Sequence, residues 1–590
     1  MNELDNKPNG AEKLDAKNAI KQYLKELDIK NIVYVDDRFN IENEKEFFLG
    51  FLKTKFKDKE EINLFPSLNW KSPEAKFMSD IKKIWENSDE PTKMGYILKL
   101  KTISGDIDEL DNSKPALEIK ELLPDIIIPL TPDEWIKSKD DVFKNLDEND
   151  NILCLFDIDL TNGGSSSVSY GYDGVDLASE LLSSKYSTKV YCGLFSHTFS
   201  IEEENIKRLE FHKERKLGKK RFYTISKERF SRDSSISGFA EGIKNTLLIS
   251  EIETLKEKSI ELIDDSYQNI KENLENLTPE SFNHIVQKRS FETGTWELDT
   301  LYRINNILLE NEYKKLIADK RKRRSILFET ARIRKFESIN YGEVRNANLT
   351  ELKELREKEL YIEGSIINKL HYPLSNGDIF KLGNKEYILL VQPCNVSIRI
   401  SGKREPDNVI GMLVEIMDVK EETLKKDISF FKVREFLDDK KEKYVDFPSY
   451  KSINLDFLDL CVFNENGKSF IKIDQHLEIA EYLQAPLKKR FNKLMRTFKK
   501  IENGYIAFYE DKNNLTKKNI NLFANSLVPT ISLNNIPGLN SNPYNPQART
   551  FKFNISRIKR YKSPYSDDLL QKFMLYLSRN GFEFDYTSKQ

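Results

Sequence analysis

Short apolar runs that end in polar side chains recur along the N-terminal part of the chain. Five of these runs are NIVYVDDRF at 31–39, DIIIPL at 125–130, NILCLFDIDL at 151–160, YCGLFS at 191–196 and RFYTISK at 221–227. Apolar runs of this length predict strands that are buried on both faces, as in a parallel sheet. One segment before the runs, at 16–27, and three between them, at 137–146, 175–183 and 201–211, are predicted to be helices. Strands that alternate with helices predict an α/β domain, which we place at residues 17–245.

A long, largely charged segment at about 43–120 separates the first two predicted strands. We predict that it is a helical insert in the α/β domain. Inserts of this size are commonly functional, so a docking face for a partner is favoured over a plain surface elaboration. After the α/β domain, residues 246–360 carry apolar side chains at helical spacing, such as Ile260, Ile263 and Tyr267. This spacing predicts a helical connector.

From residue 361 the pattern changes to short strands and turns. Ser-Asn-Gly-Asp at 375–378 and Gly-Asn at 383–384 are turn signals between short apolar runs. The pattern predicts a β-rich, barrel-like domain with some helices at 361–555, followed by a C-terminal helix within 556–590. With the α/β domain and the connector, the expected fold class is therefore mixed α/β with several domains.

Composition narrows the classes of function. The 590 residues have a formal net charge of −2 although 32% of them are charged. This balance argues against a protein that coats nucleic acid or a membrane along its whole surface, but it permits local patches. The four cysteines are far apart, which predicts thiols in a reducing compartment. The polar start MNELDNKPNG and the absence of an apolar run of membrane-spanning length predict a cytoplasmic protein without a membrane partner.

Candidate chemistry lies where the predicted strands end. Asp36 and Asp37 follow the first strand, Asp157 follows the third, Ser196 ends the fourth and Lys227 follows the fifth. In an open α/β sheet, ligands bind beyond the carboxyl ends of the strands, so these side chains are expected to converge. Converging carboxylates repel each other unless a cation neutralises them, and carboxylate oxygens with open positions suit Mg²⁺. We therefore expect Asp36, Asp37 and Asp157 to bind Mg²⁺.

The same set of side chains can accept a phosphoryl group. A carboxylate is a nucleophile, while a metal ion and the ammonium group of Lys227 neutralise phosphoryl oxygens. The hydroxyl of Ser196 can donate a hydrogen bond to one of those oxygens. We therefore predict that Asp157, Lys227 and Ser196 carry out the chemistry.

The order of these roles resembles the receiver domain of bacterial response regulators. The resemblance implies a flavodoxin-like, doubly wound fold at 17–245. It also implies Asp157 as the phosphoacceptor, Asp36 and Asp37 as the Mg²⁺-binding acid pair, Ser196 as the switch hydroxyl and Lys227 as the active-site lysine. The implied partner is a histidine-kinase-like protein. Receivers with such long inserts, fused to other output modules, resemble those of bacterial conflict and phage-defence systems.

Several positions depart from the receiver pattern. Glu228 stands where the family usually has proline after the lysine, and His197 follows the switch hydroxyl where a small residue is common. Thr224 lies near the family's aromatic switch position. The Gly/Ser-rich segment 161–172, TNGGSSSVSYGY, is expected to lie over the site. Asp173-Gly174, by contrast, resembles the Asp-Gly that opens the third helix of receivers.

The C-terminal half has its own candidates. The pattern GDIF…YILLVQP faintly resembles the SH3-like barrels of the MazF/PemK toxin ribonucleases, and Arg399, Ser401 and Arg404 follow it. The alternative is a purely structural barrel, which we favour. Basic helices at 314–335 and 486–500 suit either a solvated surface or contacts with the phosphates of nucleic acid.

These observations support three hypotheses. In the first, a cytoplasmic phosphorelay protein accepts a phosphoryl group on Asp157 and controls a C-terminal output module in phage defence. In the second, the C-terminal half is an effector that acts on RNA or DNA under the control of the receiver. In the third, the receiver is a phosphate sink or scaffold without an enzymatic output. Whether the chain is an enzyme stays open at this point.

Overall fold

A computed structural model describes most of the chain. The described residues are 15–105, 115–116, 119–120, 123–148, 150–160, 173–231, 235–288, 290, 296–339, 349–405, 409–418, 430–433, 443–475, 483–510, 516, 518–519 and 543–578. They divide into two compact units. The first unit comprises Met1–Gln268 with Glu312–Asn348, and the second comprises Asn269–Asn311 with Leu349–Gln590.

The first unit contains a parallel sheet of five strands in the order β2-β1-β3-β4-β5. These strands are β1 Ile29–Val35, β2 Ile127–Leu130, β3 Asn151–Phe156, β4 Val190–Ser196 and β5 Phe222–Ser226. The central strands β3 and β4 are buried almost throughout, as their continuous apolar sequences predict. The mixed α/β fold and the five predicted strands are therefore confirmed for this part of the chain.

Helices cover both faces of the parallel sheet. In chain order, the helices of this region are α1 Ala16–Glu26, α2 Lys45–Lys57, α3 Glu74–Asn87, α4 Glu90–Ser104, α5 Pro132–Lys144, α6 Gly174–Ser183, α7 Glu204–Arg215 and α8 Glu228–Ser231. Helices α5 and α6 pack on one face through residues such as Trp135, Phe143 and Ala178. Helix α1 packs on the other face, together with the start of α9, Ser235–Glu275.

The predicted insert between β1 and β2 contains a small helical core. Helices α2, α3 and α4 bury aromatic side chains against one another, including Phe48, Phe77 and Trp85. The Phe48 and Trp85 rings lie 4.9 Å apart. The insert is thus mostly helical in its described part, and its own apolar core accounts for its order.

The chain continues through a predominantly helical region. After α9, its helices are α10 Pro279–Asn283, α11 Glu297–Ala318, α12 Lys320–Glu337 and α13 Leu349–Leu360, with a π-helical turn at His284–Lys288. Helix α9 runs through residue 245, where we predicted the α/β domain to end, because its apolar start packs on the parallel sheet. The composition change that suggested the boundary lies within one continuous helix.

The second unit contains an antiparallel sheet with the path β10-β11-β9-β8-β7-β14-β12, and β6 and β13 also pair with β14. Its strands are β6 Tyr361–Glu363, β7 Asp378–Leu382, β8 Lys385–Leu390, β9 Ile410–Asp418, β10 Phe430–Val433, β11 Lys443–Asn454, β12 Lys468–Lys472, β13 Tyr544–Asn545 and β14 Thr550–Tyr561. The sheet is curled, and the second unit is rich in β-structure, as the turn pattern predicted.

Helices complete the second unit. They are α14 Gly364–Lys369, α15 Pro393–Val396, α16 Leu455–Val462, α17 Ala485–Glu510 and α18 Tyr565–Leu577. Helix α17 buries Leu487, Leu494 and Phe498 against the sheet. The boundary that we predicted at 555 falls inside β14, because alternating buried residues continue this strand to Tyr561. Within the described residues, no helix is long and apolar enough to cross a membrane.

Candidate functional site

The register of the parallel sheet brings the predicted acids together. Val35 pairs with Phe156, so Asp36 and Asp157 are the residues that directly follow two neighbouring strands. The N–H of Asp157 donates to the carbonyl oxygen of Val35 at 2.9 Å. Asp36, Asp37 and Asp157 are all buried, and each offers an oxygen within 4.8 Å of the others. The structure thus brings the three acids to one edge of the sheet.

Lys227 completes this acid cluster from the end of β5. Its Nζ lies 2.8 Å from Oδ2 of Asp157 and 3.0 Å from Oδ2 of Asp36. Its backbone N–H donates to the carbonyl oxygen of Ser196 at 2.7 Å, which fixes the start of the segment after β5. Only 1% of the lysine side chain is exposed. A buried ammonium group is therefore shared between two carboxylates.

Asp36 is held from several sides. Its Oδ2 accepts a hydrogen bond from the hydroxyl of Tyr34 at 2.6 Å as well as from Lys227. Its Oδ1 accepts the backbone N–H of Arg38 at 2.9 Å. Sequence analysis missed Tyr34, although residues two apart on a strand point to the same side and a hydroxyl at that position could have been noticed. Asp36 is consequently a fixed member of the cluster.

Asp157 is held on one side only. Its Oδ2 accepts from Lys227, whereas its Oδ1 is buried and has no hydrogen-bond partner among the described residues. A buried polar atom without a partner is costly, and such an atom at a functional site calls for an explanation. Asp157 also offers a carboxylate oxygen within 4.8 Å of oxygens of Asp36 and Asp37, and hard oxygen donors of this kind fit Mg²⁺. The residues present therefore suit the predicted cation.

No family model, curated protein or solved structure matches this chain. A role for the acid cluster must consequently be argued from its own geometry and electrostatics. Three carboxylates face the ammonium group of Lys227 and the guanidinium group of Arg38 in a buried region, so the acids outnumber the cations and the cluster carries excess negative charge. The arrangement can bind a divalent cation, and it presents one carboxylate that is held by a lysine and whose Oδ1 has no hydrogen-bond partner among the described residues.

The excess charge changes the proton affinities of the acids. Burial and the nearby carboxylate of Asp36 raise the pKa of Asp37 to about 7. Burial also raises the pKa of Asp157 to about 6; Lys227 opposes this increase and Asp36 adds to it. Burial acts in the same direction on Asp36, but Lys227 and the hydrogen bond from Tyr34 bring its pKa below the ordinary value. Asp37 and Asp157 are therefore the two acids whose negative charge is least compensated by neighbouring cations.

Ser196 lies at the end of β4 as predicted and is fully buried. Its Oγ accepts the backbone N–H of Thr198 at 3.3 Å and lies 3.3 Å from the hydroxyl of Thr198. Its hydroxyl makes no described hydrogen bond with a side chain of the acid cluster. Asp159 follows two residues after Asp157 and is part of the described chain, whereas the Gly/Ser-rich segment 161–172 lies outside the described residues.

Gly174 sits against the strand end that carries Asp157. A Cβ atom at this position would lie 1.8 Å from the carbonyl oxygen of Asp157, so only glycine allows this approach. The Gly174 N–H donates to the carbonyl oxygen of Ile158 at 3.1 Å, and Asp173 caps α6 by accepting the N–H of Asp176 at 2.8 Å. The Asp-Gly pair noted in the sequence thus locks the start of α6 onto the Asp157 segment.

The candidates in the second unit do not form a comparable site. Arg404 is buried and forms two hydrogen bonds with Asp459, at 2.8 and 2.6 Å. Arg399 is half-buried, whereas Ser401 is exposed and accepts a hydrogen bond from the N–H of Lys403. Because the guanidinium group of Arg404 is engaged in a buried ion pair with Asp459, it cannot contact a substrate in this conformation.

Proposed function

We propose that the first unit is a phosphoacceptor domain of the receiver type, within a cytoplasmic phosphorelay protein. The observation that carries the proposal is the state of Asp157. Lys227 holds one carboxylate oxygen, and the other is buried without a described partner beside two further acids. The strand order β2-β1-β3-β4-β5 supports the proposal because it is the order of flavodoxin-like doubly wound folds, whose ligands bind at the β1/β3 edge.

The roles follow from the contacts. Asp37 and Asp157 would hold Mg²⁺ together with Asp36, and the ion would supply positive charge to the phosphoryl oxygens. The Asp157 carboxylate attacks phosphorus, and the bond from phosphorus to the donor imidazole of a histidine-kinase-like partner breaks. The imidazole leaves with the bonding electron pair and takes up a proton. Lys227 orients the attacking carboxylate and neutralises charge on the product.

The phosphoryl group added to Asp157 would change the local contacts. Ser196 is bonded only to Thr198 among the described side chains, so its hydroxyl can reorient toward a new phosphoryl oxygen. Such a rearrangement would be the signal that controls the C-terminal output module, in keeping with a role in phage defence. A phosphate sink or scaffold is the variant of this proposal in which no output follows.

Formation of a beryllofluoride adduct tests the proposal. With Mg²⁺ and beryllofluoride, the full chain should form a stable acyl-phosphate mimic at Asp157, visible by ¹⁹F NMR. Asp157→Asn should abolish the signal because the attacking carboxylate is lost. Asp159→Asn is the matched control and should retain the adduct. A signal that persists in Asp157→Asn would refute the assignment of the phosphoacceptor.

A second candidate function is binding of nucleic acid by α12. Five cations of this helix have no acidic partner among the described residues: Lys320, Arg321, Arg323, Arg324 and Arg334. This concentration contrasts with the net charge of −2 for the whole chain. Unpartnered cations on one helix can replace the counterions of a phosphate backbone.

Exposed apolar side chains lie within the same basic segment. Leu327 and Phe328 are 52% and 61% exposed, and bases can stack on an exposed aromatic ring. Fluorescence anisotropy with a single-stranded oligonucleotide over a range of salt concentrations tests this function. A triple variant should weaken binding and lower the slope of log affinity against log salt concentration by about 2. It combines Arg321→Gln, Arg323→Gln and Arg324→Gln. The control triple of Lys488→Gln, Arg496→Gln and Lys500→Gln in α17 removes the same charge and should have little effect.

A further inference from the structure

Arg38 connects the acid cluster to the helical insert. Its Nε lies 3.8 Å from Oδ1 of Asp37, and its NH1 donates to Oε1 of Glu44 at 3.4 Å. Both ion pairs are largely shielded from solvent, since the Arg38 side chain is 12% exposed and that of Asp37 is 2% exposed. Arg38 follows Asp37 directly in the turn after β1, and its long side chain reaches both acids. One guanidinium group is therefore shared between a cluster acid and an acid of the insert.

Glu44 is fixed in turn by the insert. Lys101 of α4 donates to Oε1 of Glu44 at 2.9 Å, and only 1% of the Lys101 side chain is exposed. The Lys101 ammonium group also lies 5.5 Å from the centre of the Phe47 ring on α2. Charges alternate along this series, from Asp37 through Arg38 and Glu44 to Lys101. Because Lys101 is buried in the insert, the position of Glu44 depends on the packing of α2 and α4.

We propose that Arg38 is a positioning residue through which the helical insert sets the affinity of the acid cluster for a divalent cation. The guanidinium group of Arg38 and a cation at Asp37 compete for the same carboxylate. Glu44 draws the guanidinium group away from Asp37, so an ordered insert favours cation binding. A partner that disturbs α2 or α4 would lower this affinity without touching the cluster. The inference rests on the proposed function only in taking the cluster as a Mg²⁺ site.

Two substitutions should change Mg²⁺ affinity in opposite directions. Arg38→Gln removes the competing cation, and we expect the Mg²⁺ affinity to rise at least about tenfold, because a unit charge within several ångströms repels a divalent ion by more than the free energy of a tenfold change, even at an effective protein dielectric constant of about 20. Glu44→Gln releases the guanidinium group toward Asp37, and the affinity should fall by about the same factor. Arg38→Lys retains the charge and should stay near the wild-type value. A purely structural role would lower affinity in both variants.

Glu42→Gln is the matched control. Glu42 lies in the same short helical turn as Glu44, but it pairs with Lys93 at 2.6 Å and accepts from the indole of Trp85 at 3.2 Å. It has no described contact with Arg38, so its substitution should leave Mg²⁺ affinity unchanged. Glu44→Gln alone leaves the buried Lys101 without its described carboxylate. The double variant Glu44→Gln/Lys101→Met removes one negative and one positive charge, so the net charge of the insert is unchanged. It should weaken Mg²⁺ binding as much as Glu44→Gln does.

Isothermal titration of each full-length variant with MgCl₂ measures the affinities, and far-UV circular dichroism verifies folding. Equal affinities in wild type, Arg38→Gln and the Glu44/Lys101 double variant would overturn the inference. A change of the same sign in the two variants would also overturn it. If wild type binds Mg²⁺ and the variants shift as expected but no beryllofluoride adduct forms, the proposed function fails and this inference stands. If wild type binds no Mg²⁺, both are refuted.

Discussion

Each of the two units contains a buried cluster of charges, and the two clusters are built differently. In the second unit Asp459 is fully buried and accepts hydrogen bonds from Arg404 at 2.8 and 2.6 Å and from Arg490 at 2.7 Å. Asp456 also pairs with Arg490, so two acids face two arginines. In the acid cluster of the first unit, Asp36 and Asp157 share Lys227, Asp37 lies 3.8 Å from Arg38, and Oδ1 of Asp157 has no described partner.

The proton affinities reflect this difference. Burial opposes the charged form of Asp459, yet Arg404 and Arg490 bring its pKa below the ordinary value. Burial also opposes the charged form of Asp157. There Lys227 does not fully compensate for burial, so the pKa of Asp157 rises to about 6. Burial of charge is therefore no sign of function by itself. Incomplete pairing is the more informative feature, because an unsatisfied buried group is retained at a cost in stability.

The largest expected effect is the loss of the Asp459 charge. Asp459→Asn leaves Arg404 and Arg490 buried without their shared carboxylate, and breaking a buried ion pair typically costs about 3–5 kcal/mol. Hydrogen exchange of α16 and α17, which carry Asp459 and Arg490, should therefore become faster in this variant. Asp157→Asn is the comparison in the first unit and should slow or leave unchanged the exchange of β1 and β3. Equal destabilisation by both variants would remove the distinction between the clusters.

The second effect is a pH dependence of opposite sign in the two units. The raised pKa of Asp157 means that the folded state binds more protons than the unfolded state between about pH 4 and 6. Without added metal, the first unit should therefore lose on the order of 2 kcal/mol as pH rises through this range. The lowered pKa of Asp459 gives stability above its unfolded pKa, which is lost as pH falls through the folded value. Hydrogen exchange of β3 and α16 at several pH values would measure both trends.

Asp157→Asn isolates the source of the first trend. This variant should reduce the pH dependence of β3 exchange because one of the two carboxyl groups with a raised pKa is gone. The trend in α16 should be unchanged. A pH dependence of β3 that survives in Asp157→Asn would assign it to Asp37, whose pKa is raised to about 7.

The third effect is stabilisation by Mg²⁺, which should be confined to the first unit. At a Mg²⁺ concentration ten times the dissociation constant, ligand binding adds about 1.4 kcal/mol. Protons compete for Asp37 and Asp157, so the stabilisation should be larger at pH 8 than at pH 5. Asp157→Asn should abolish it, and Asp459→Asn should not. Exchange protection of β1 and β3 with and without MgCl₂ provides the measurement.

The acid cluster of the first unit could be predicted from the sequence more readily than the cluster around Asp459 in the second unit. Asp36, Asp157 and Lys227 each follow a recognisable apolar strand, and parallel strands bring their carboxyl ends to one edge. The pair of Arg404 and Asp459 joins a loop residue to a residue of α16 that lies 55 positions further along the chain. No local pattern predicts such a pairing, which is why Arg404 was considered as a candidate for catalysis.

The sequence pattern also did not predict which side chains contact one another around the acid cluster. The link from Arg38 to Lys101 depends on how the insert packs, with Glu44 lying 57 residues from Lys101. The start of α6 at Gly174 could be predicted because an Asp-Gly pair after a strand is a local signal. Element types thus follow from local periodicity, whereas side-chain partners follow from packing that only the folded chain reveals.

The smallest expected effect concerns Tyr34, which distinguishes a redundant partner from an essential one. Its hydroxyl is one of three described donors to Asp36, beside Lys227 and the N–H of Arg38. Tyr34→Phe should therefore cost about 1 kcal/mol, the net value of a typical hydrogen bond, because the two other donors still satisfy the carboxylate. Tyr96→Phe in the insert is the control, since the Tyr96 ring packs on Phe65 and its hydroxyl makes no described hydrogen bond. Urea unfolding curves of both variants measure the difference. A loss in Tyr34→Phe as large as that in Asp459→Asn would mean that Asp36 has no redundancy, and the contrast between the two clusters would then lie in Asp157 alone.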